Sequence, residues 1–239
     1  MSALVSDTAM VLAAGMGKRM RPLTAAQPKP LVRVAGKALI DHALDRLVAA
    51  GIKRAVVNVH YLADALEAHL AERSDIQIII SDERNRLLET GGGLIKAKEL
   101  LPDPFFCLNS DNIWLDGPKN AFADLSAFWD AETMDALLLL VPHKGAANYV
   151  GKGDFHMDAT GRLRRRRSGR IAPHIFTGIQ LVSKRLLRDA PRGPFSTNDL
   201  WDRAIEEERL FGLAFTGRWF EVGTPEAIRP TELALVDGC

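Results

Sequence analysis

Short apolar runs alternate with stretches of helical periodicity through the first half of the chain, and that alternation leaves few folds open. Ala9–Ala14 reads as a strand, and Leu39–Ala50 places Ile40, Ala43, Leu44, Leu47 and Val48 on one helical face before stopping at Gly51. Strands are expected again at Arg54–Val59, Ile76–Ile80, Phe105–Leu108 and Ala136–Val141, with helices over Leu62–Leu70 and Gly92–Leu101. Strands this short and this continuously apolar are buried on both faces, the habit of a mainly parallel sheet flanked by helices. The expected class is therefore α/β.

After Pro142 the texture changes to glycine-punctuated segments, Tyr149–Met157, Gly161–Arg166 and Pro173–Val182, which read as a small antiparallel β excursion from that sheet. Helical patterns return at Lys184–Asp189 and Thr197–Glu208, a strand is expected at Leu210–Thr216, and Pro225–Val236 reads as a closing helix. No linker or repeat divides the chain, so 1–239 is expected to form a single domain; 239 residues, 47% of them hydrophobic, suffice for one core.

Charge narrows the partners. Lys plus Arg number 31 against 30 Asp plus Glu, a net charge of +1, so no global excess calls for nucleic acid or an anionic membrane. The apolar runs fall short of the roughly 20 residues of a membrane-spanning helix, and the segment before Ala9 carries Asp7 and no basic residue, unlike a secretory signal. A cytoplasmic protein with neither a nucleic-acid nor a membrane partner is expected. Cys107 and Cys239 form no disulfide framework, and burial is the expected role of Cys107.

The most informative segment is Leu12-Ala13-Ala14-Gly15-Met16-Gly17-Lys18-Arg19-Met20-Arg21-Pro22-Leu23-Thr24, followed by Pro28-Lys29-Pro30. It follows an expected strand; its small residues admit a nucleotide close to the backbone, and Lys18, Arg19, Arg21 and Lys29 supply charge for phosphates. A P-loop would need Ser or Thr where Arg19 stands, and a dinucleotide fingerprint would need glycine at Met20.

The two blocks together resemble the opening of the sugar-nucleotidyltransferase family, Leu-Ala-Ala-Gly-x-Gly-x-Arg-Met-x-Pro-Leu-Thr and then Pro-Lys-Pro. That resemblance implies a Rossmann-like nucleotidyltransferase domain with the nucleotide in about 1–115 and the sugar in about 116–239. It implies nucleotide contacts from Leu12, Ala13, Ala14, Gly15, Gly17, Lys18, Glu89, Thr90, Gly91 and Asn109, and catalytic roles for Arg19 on the outer phosphates and Lys29 at the reacting ones. Glu89-Thr90-Gly91-Gly92-Gly93 would be the base loop; as pure structure it is a helix start capped by Thr90. Asn109-Ser110-Asp111 closes an expected strand, and its aspartate corresponds to the family's Mg²⁺ ligand. Trp219-Phe220-Glu221-Val222-Gly223-Thr224-Pro225 resembles the block carrying the second metal ligand, with glutamate where the family has aspartate.

Asn112, Gly153, Asp154, Thr177 and Gly178 are the residues the resemblance assigns to the sugar. Many members carry a Glu-Lys-Pro triad before that block; here Arg164-Arg165-Arg166-Arg167 stands instead, either a solvated hairpin edge or a cluster for the acceptor phosphate. The implied reaction joins a nucleoside triphosphate to a sugar 1-phosphate with Mg²⁺ and releases pyrophosphate. The short form, the Leu87–Gly93 loop and the missing triad most resemble the branch that transfers uridylyl from UTP to N-acetylmuramate 1-phosphate in peptidoglycan recycling, with the mannose 1-phosphate guanylyl branch next. No left-handed β-helix repeat follows, which argues against a bifunctional acetyltransferase. A nucleotide-sugar sensor that has lost catalysis through Glu221 is the rival of another class. Oligomeric state is not legible.

Overall fold

The computed structural model describes residues 4–143 and 146–236; Cys239 lies outside them. In chain order the strands and helices are β1 (Thr8–Leu12), β2 (Arg33–Val34), β3 (Lys37–Ala38), α1 (Leu39–Ala50), β4 (Arg54–Val59), α2 (Ala63–Ala71), β5 (Gln77–Asp82) and α3 (Glu89–Ala97). They continue as β6 (Phe105–Asn109), β7 (Asn112–Leu115), α4 (Ala121–Phe128), β8 (Ala136–Pro142), β9 (Ala146–Ala147), β10 (Phe155–Met157), β11 (Leu163–Arg165), β12 (His174–Val182), α5 (Thr197–Glu206), β13 (Leu210–Ala214), β14 (Arg218–Glu221) and α6 (Ile228–Val236).

Strands β6, β1, β4 and β5 lie side by side and parallel, with β1 paired to β4 on one edge and to β6 on the other. Side chains alternate across this sheet, and the alternation sorts them into two cores. Val11, Val57, Leu108 and Leu139 face a layer holding Leu44 and Leu47 of α1, Leu66 of α2 and Phe122 of α4. Met10, Val56, Cys107 and Leu138 face Leu94 of α3 with Leu200 and Trp201 of α5. Both faces are thus covered, as the apolar strands require. Helix α1 ends at Gly51, whose φ of 88° returns N–H to the Leu47 and Val48 carbonyls, a conformation that costs glycine little. Cys107 is 1% exposed, and burial pushes its thiol up to about 12.

The antiparallel part begins at β12, which pairs with β8 along one edge. On the other edge its second half pairs with β6 and its first residue, His174, with Phe155 of the β10–β11 hairpin. The register shifts between Phe176 and Gln180. The hairpin therefore continues the main sheet beyond the end of β6. A separate small sheet, β7-β14-β9, packs Ile113, Phe220 and Val222 against Met20, Val34 and Leu39.

Several boundaries differ from the sequence expectation. The helix expected at Gly92 starts at Glu89, so the glycine-rich segment forms its first turn. Lys184–Asp189 is reduced to a 3-10 turn over Lys184–Leu187, and only Phe155–Met157 of the segment 149–157 is strand. Helix α4 and strands β7 and β14 carried no local signal that had been read: α4 has eight residues, and β7 is ordered by pairing with β14, a hundred positions away in the chain. Among the described residues no helix is long and apolar enough to cross a membrane.

Asp135, 1% exposed, opens β8 and accepts from Arg185 Nε and Arg209 Nε, each at 2.6 Å, tying the turn after β12 to the entry of β13. Asp135→Ala leaves two arginines without their shared anion and is expected to cost about 3 kcal/mol. In a thermal melt this lowers Tm by roughly 10 °C; an unchanged Tm would show that water replaces the carboxylate.

Candidate active site

The carboxyl ends of β1 and β6 point the same way, and between them the chain order diverges laterally, from β1 to its neighbour β4 on one edge and from β6 towards β12 and β8 on the other. Open α/β sheets bind ligands at such a point. A cavity of about 220 Å³ opens there, walled by Leu12, Ala13, Ala14, Gly15 and Gly17 after β1 and by Asn109, Ser110 and Asp111 after β6. Lys29, Asn58, Leu87, Glu89 and Thr90 also line it.

The loop after β1 is pinned from below. Met20 is fully buried, and the Thr24 hydroxyl donates to the Gly17 carbonyl at 2.9 Å while Tyr61 donates to the Thr24 carbonyl at 2.9 Å. Gly17 adopts φ 60° against Lys29, whose Cβ lies 2.8 Å from where a side chain on Gly17 would begin. Pro28-Lys29-Pro30 enters a 3-10 turn over Lys29–Leu31 with Pro30 buried, which fixes the base of the Lys29 side chain. Lys29 Nζ then reaches Asp111 Oδ2 in a direct ion pair, 13% and 30% exposed respectively. Lys18 and Arg19 stand on the outer rim, Arg19 71% exposed with Nη1 3.8 Å from Glu221 Oε1.

A second cavity of about 220 Å³ adjoins the first across Asn109 and Asp111. Asn112, Asp154, Gly178 and Glu221 line it, with Tyr149 and Trp219. Gly178, at φ 81° inside the register shift of β12, abuts the Asn112 and Asn109 amides so closely that a β-carbon there would collide with Asn112. The Asn112 Nδ2 group is buried and has no hydrogen-bond partner among the described residues, a donor left for a ligand.

Burial raises the Glu221 carboxyl above its ordinary value, with the Asp111 and Asp154 charges adding to that and Arg19 and Lys29 opposing it. Carboxylates that repel one another around one cavity suit a cation, and all-oxygen donors suit Mg²⁺. Among the described residues no three metal-ligating side chains are grouped. Asp111 and Glu221 would thus supply two carboxylates, a share that fits Mg²⁺ shared with phosphates and water.

Three residues expected at the ligand have polar groups taken up by the scaffold, although Thr177 still lines the second cavity. Gly91 donates its N–H to the Phe195 carbonyl at 2.9 Å and packs against the Phe195 ring, so its missing side chain serves helix packing. Gly153 has its N–H on Tyr149 Oη and its carbonyl on Arg166 Nε. Thr177 is wholly buried, with its hydroxyl donating to Leu139 and its carbonyl accepting from Trp219 Nε1. Thr90 does not cap its own helix α3; its hydroxyl accepts from the N–H of Thr197, the first residue of α5. The arginine run also divides. Arg164 and Arg167 are exposed, Arg166 binds the Gly153, Arg167 and Arg170 carbonyls, and Arg165 lies over the Phe155 and Trp201 rings.

Two residues that sequence reading missed shape the first cavity. Asn58 Oδ1 accepts from Ala13 N–H at 2.7 Å and its Nδ2 donates to Glu83 Oε1 at 2.8 Å, while Glu83, 1% exposed, also accepts from Leu88 N–H. The signal was an asparagine in the otherwise apolar run Ala55-Val56-Val57-Asn58-Val59. Asn58→Ala strips a partner from two buried groups, at about 1–3 kcal/mol for each. Lower Tm together with weaker nucleotide binding in calorimetry is expected; unchanged binding would show that Asn58 does not shape the cavity.

Residues 8–164 match the model of the nucleotidyl transferase family. An N-acetylmuramate alpha-1-phosphate uridylyltransferase from Caulobacter vibrioides is 46% identical over 234 residues, spanning 96% of this chain and 97% of that protein. A mannose-1-phosphate guanylyltransferase catalytic subunit beta from Danio rerio is 31% identical, over 91% of this chain and 61% of its own length. Among solved structures, the inositol-1-phosphate CTP transferase from T. maritima superposes with a TM-score of 0.78 at 16% identity, over 97% of this chain and 95% of its own.

Proposed function

The chain belongs to the nucleotidyl transferase family, and from that premise we propose that it transfers a uridylyl group from UTP to N-acetylmuramate 1-phosphate in the cytoplasm, forming UDP-N-acetylmuramate and pyrophosphate. The observation that carries this reading is that two cavities share Asn109 and Asp111 at their boundary. One is walled by backbone and suits a base and ribose; the other is lined by amides, carboxylates and aromatic rings and suits a sugar. The reacting phosphates then meet at Asp111. The similarity to the uridylyltransferase over nearly the whole of both chains supports the choice of substrates and a place in cell-wall sugar reuse.

An oxygen of the acceptor phosphate forms a bond to the α-phosphorus of the triphosphate, and the bond to the bridging oxygen breaks, its electron pair leaving with pyrophosphate. That nucleophile is already anionic, so positioning and charge neutralisation replace a general base. Lys29, held at the boundary by its turn and by Asp111, neutralises the phosphate oxygens there. Arg19, exposed on the rim, meets the outer phosphates that depart. Asn112 Nδ2 and Asp154 orient the sugar. Asp111 and Glu221 would hold Mg²⁺, which when bound draws off charge from the α-phosphate and the leaving group.

Pyrophosphate release is to be measured with UTP, GTP, dTTP, ATP and CTP against N-acetylmuramate, mannose, glucose and N-acetylglucosamine 1-phosphates. UTP with N-acetylmuramate 1-phosphate is expected to dominate. Preference for GTP with mannose 1-phosphate would replace this reading by the guanylyl one, and silence with retained UTP binding by the sensor. Lys29→Ala is expected to lower kcat by about 100-fold or more while the Kd for UTP stays within about threefold; equal losses in both would make Lys29 a binding residue alone.

A further inference from the structure

A third cavity, of about 280 Å³, extends the site beyond Asp154 and Thr90, between the β10–β11 hairpin and the start of α5. Its walls are Phe155, Phe176 and Trp201, and its cation is Arg165. The guanidinium lies 5.0 Å from the centre of the Phe155 ring and 5.6 Å from that of Trp201. Arg165 Nε donates to Asp202 at 2.6 Å and Nη2 to the Asn198 carbonyl and amide oxygen, which holds the fork in one orientation. Its Nη1 group has no hydrogen-bond partner among the described residues. Thr197, also in the wall, is 4% exposed, and its buried hydroxyl lacks a partner as well. Unmet donors at a cavity wall mark a place where a ligand completes the bonding.

We propose that this cavity is a subsite for a carboxylate-bearing substituent on the acceptor sugar, read by Arg165 Nη1 and the Thr197 hydroxyl. The inference rests on the acceptor reading above and names what recognises it. The guanidinium is already paired with Asp202, so what it offers a ligand is directed N–H donors with little net charge, which suits a monoanionic carboxylate better than a phosphate dianion. Lys29 and Arg19, the charge suited to phosphates, line the first and second cavities and not this one. Three aromatic walls suit a short apolar piece beside that carboxylate, and a lactyl ether carries both a methyl and a carboxylate. Asp154 lines both this cavity and the sugar cavity, and its Oδ2 is engaged by the Phe176 N–H at 2.9 Å. Reading by a buried-walled, preorganised guanidinium discriminates strongly, because an acceptor without the carboxylate leaves those donors unpaired.

The test compares N-acetylmuramate 1-phosphate, its lactyl methyl ester and N-acetylglucosamine 1-phosphate, which lacks the lactyl group, in the wild type and in Arg165→Gln, Arg165→Lys and Asp202→Asn. In the wild type, KM for the free acid is expected to be lower than for the other two by about tenfold or more. Arg165→Gln is expected to raise KM for the acid to that of the ester and leave KM for the ester and for N-acetylglucosamine 1-phosphate unchanged, while Arg165→Lys restores part of the preference. Asp202→Asn, which loosens the tie to α5 and keeps the cation, is expected to retain it. A wild type that prefers the acid with the preference intact in Arg165→Gln overturns the subsite alone. A wild type without that preference, or without activity on any of the three, overturns the acceptor reading and the subsite with it. Equal KM increases for all three acceptors in Arg165→Gln, matched by Asp202→Asn, would make Arg165 a clamp between β11 and α5 and overturn the proposal.

Discussion

The register shift in β12 governs the layout of the whole site. Followed back from Val182, the strand is held by β8 on one edge and β6 on the other as far as Gln180, and between Gln180 and Phe176 the regular pairing lapses. Gly178 takes a left-handed conformation there, and the absence of its side chain lets β12 press against Asn109 and Asn112. Past that point β6 has ended and β10 takes over its edge of β12. The sheet is forked, and the nucleotide-sized cavity lies at the end of β6 while the two further cavities lie within the fork. A continuous sheet would have closed the second space.

Charge follows the same geometry. The cations that point inward are each tied to one carboxylate: Lys29 to Asp111 at the boundary of the first two cavities, Arg19 to Glu221 at the rim, Arg165 to Asp202 at the far end. A chain with nearly equal numbers of both signs thereby places separate cations around the cavities without a large positive field. Glu221, whose carboxyl burial raises, lines the same cavity as Asp111.

The strands of the main sheet were legible because each is a continuous apolar run, and α1 because its apolar residues repeat at helical spacing and end at Gly51. The loop after β1, Lys29 and Asp111 were legible as motifs. Asn58 and Glu83 were not: their importance lies in one buried hydrogen bond between residues 25 positions apart, to which neither position points alone. Gly91, Gly153 and Thr177 showed the converse. Each sits within a recognisable block, yet its polar groups are taken by Phe195, by Tyr149 and Arg166, and by Leu139 and Trp219.

The sequence by itself determined the βα order, the two-sided burial of the central strands and the chemical inventory of the phosphate-handling loop, because periodicity and motif are local properties of the chain. Only the tertiary structure decided which members of that inventory meet. Four consecutive arginines are equivalent in one dimension. Strand pairing sends Arg164 to solvent and Arg165 onto Phe155 and Trp201, and the turn after β11 binds Arg166 to backbone carbonyls. Successive side chains of a strand point to opposite faces, and what lies on each face is set by partners distant in the chain.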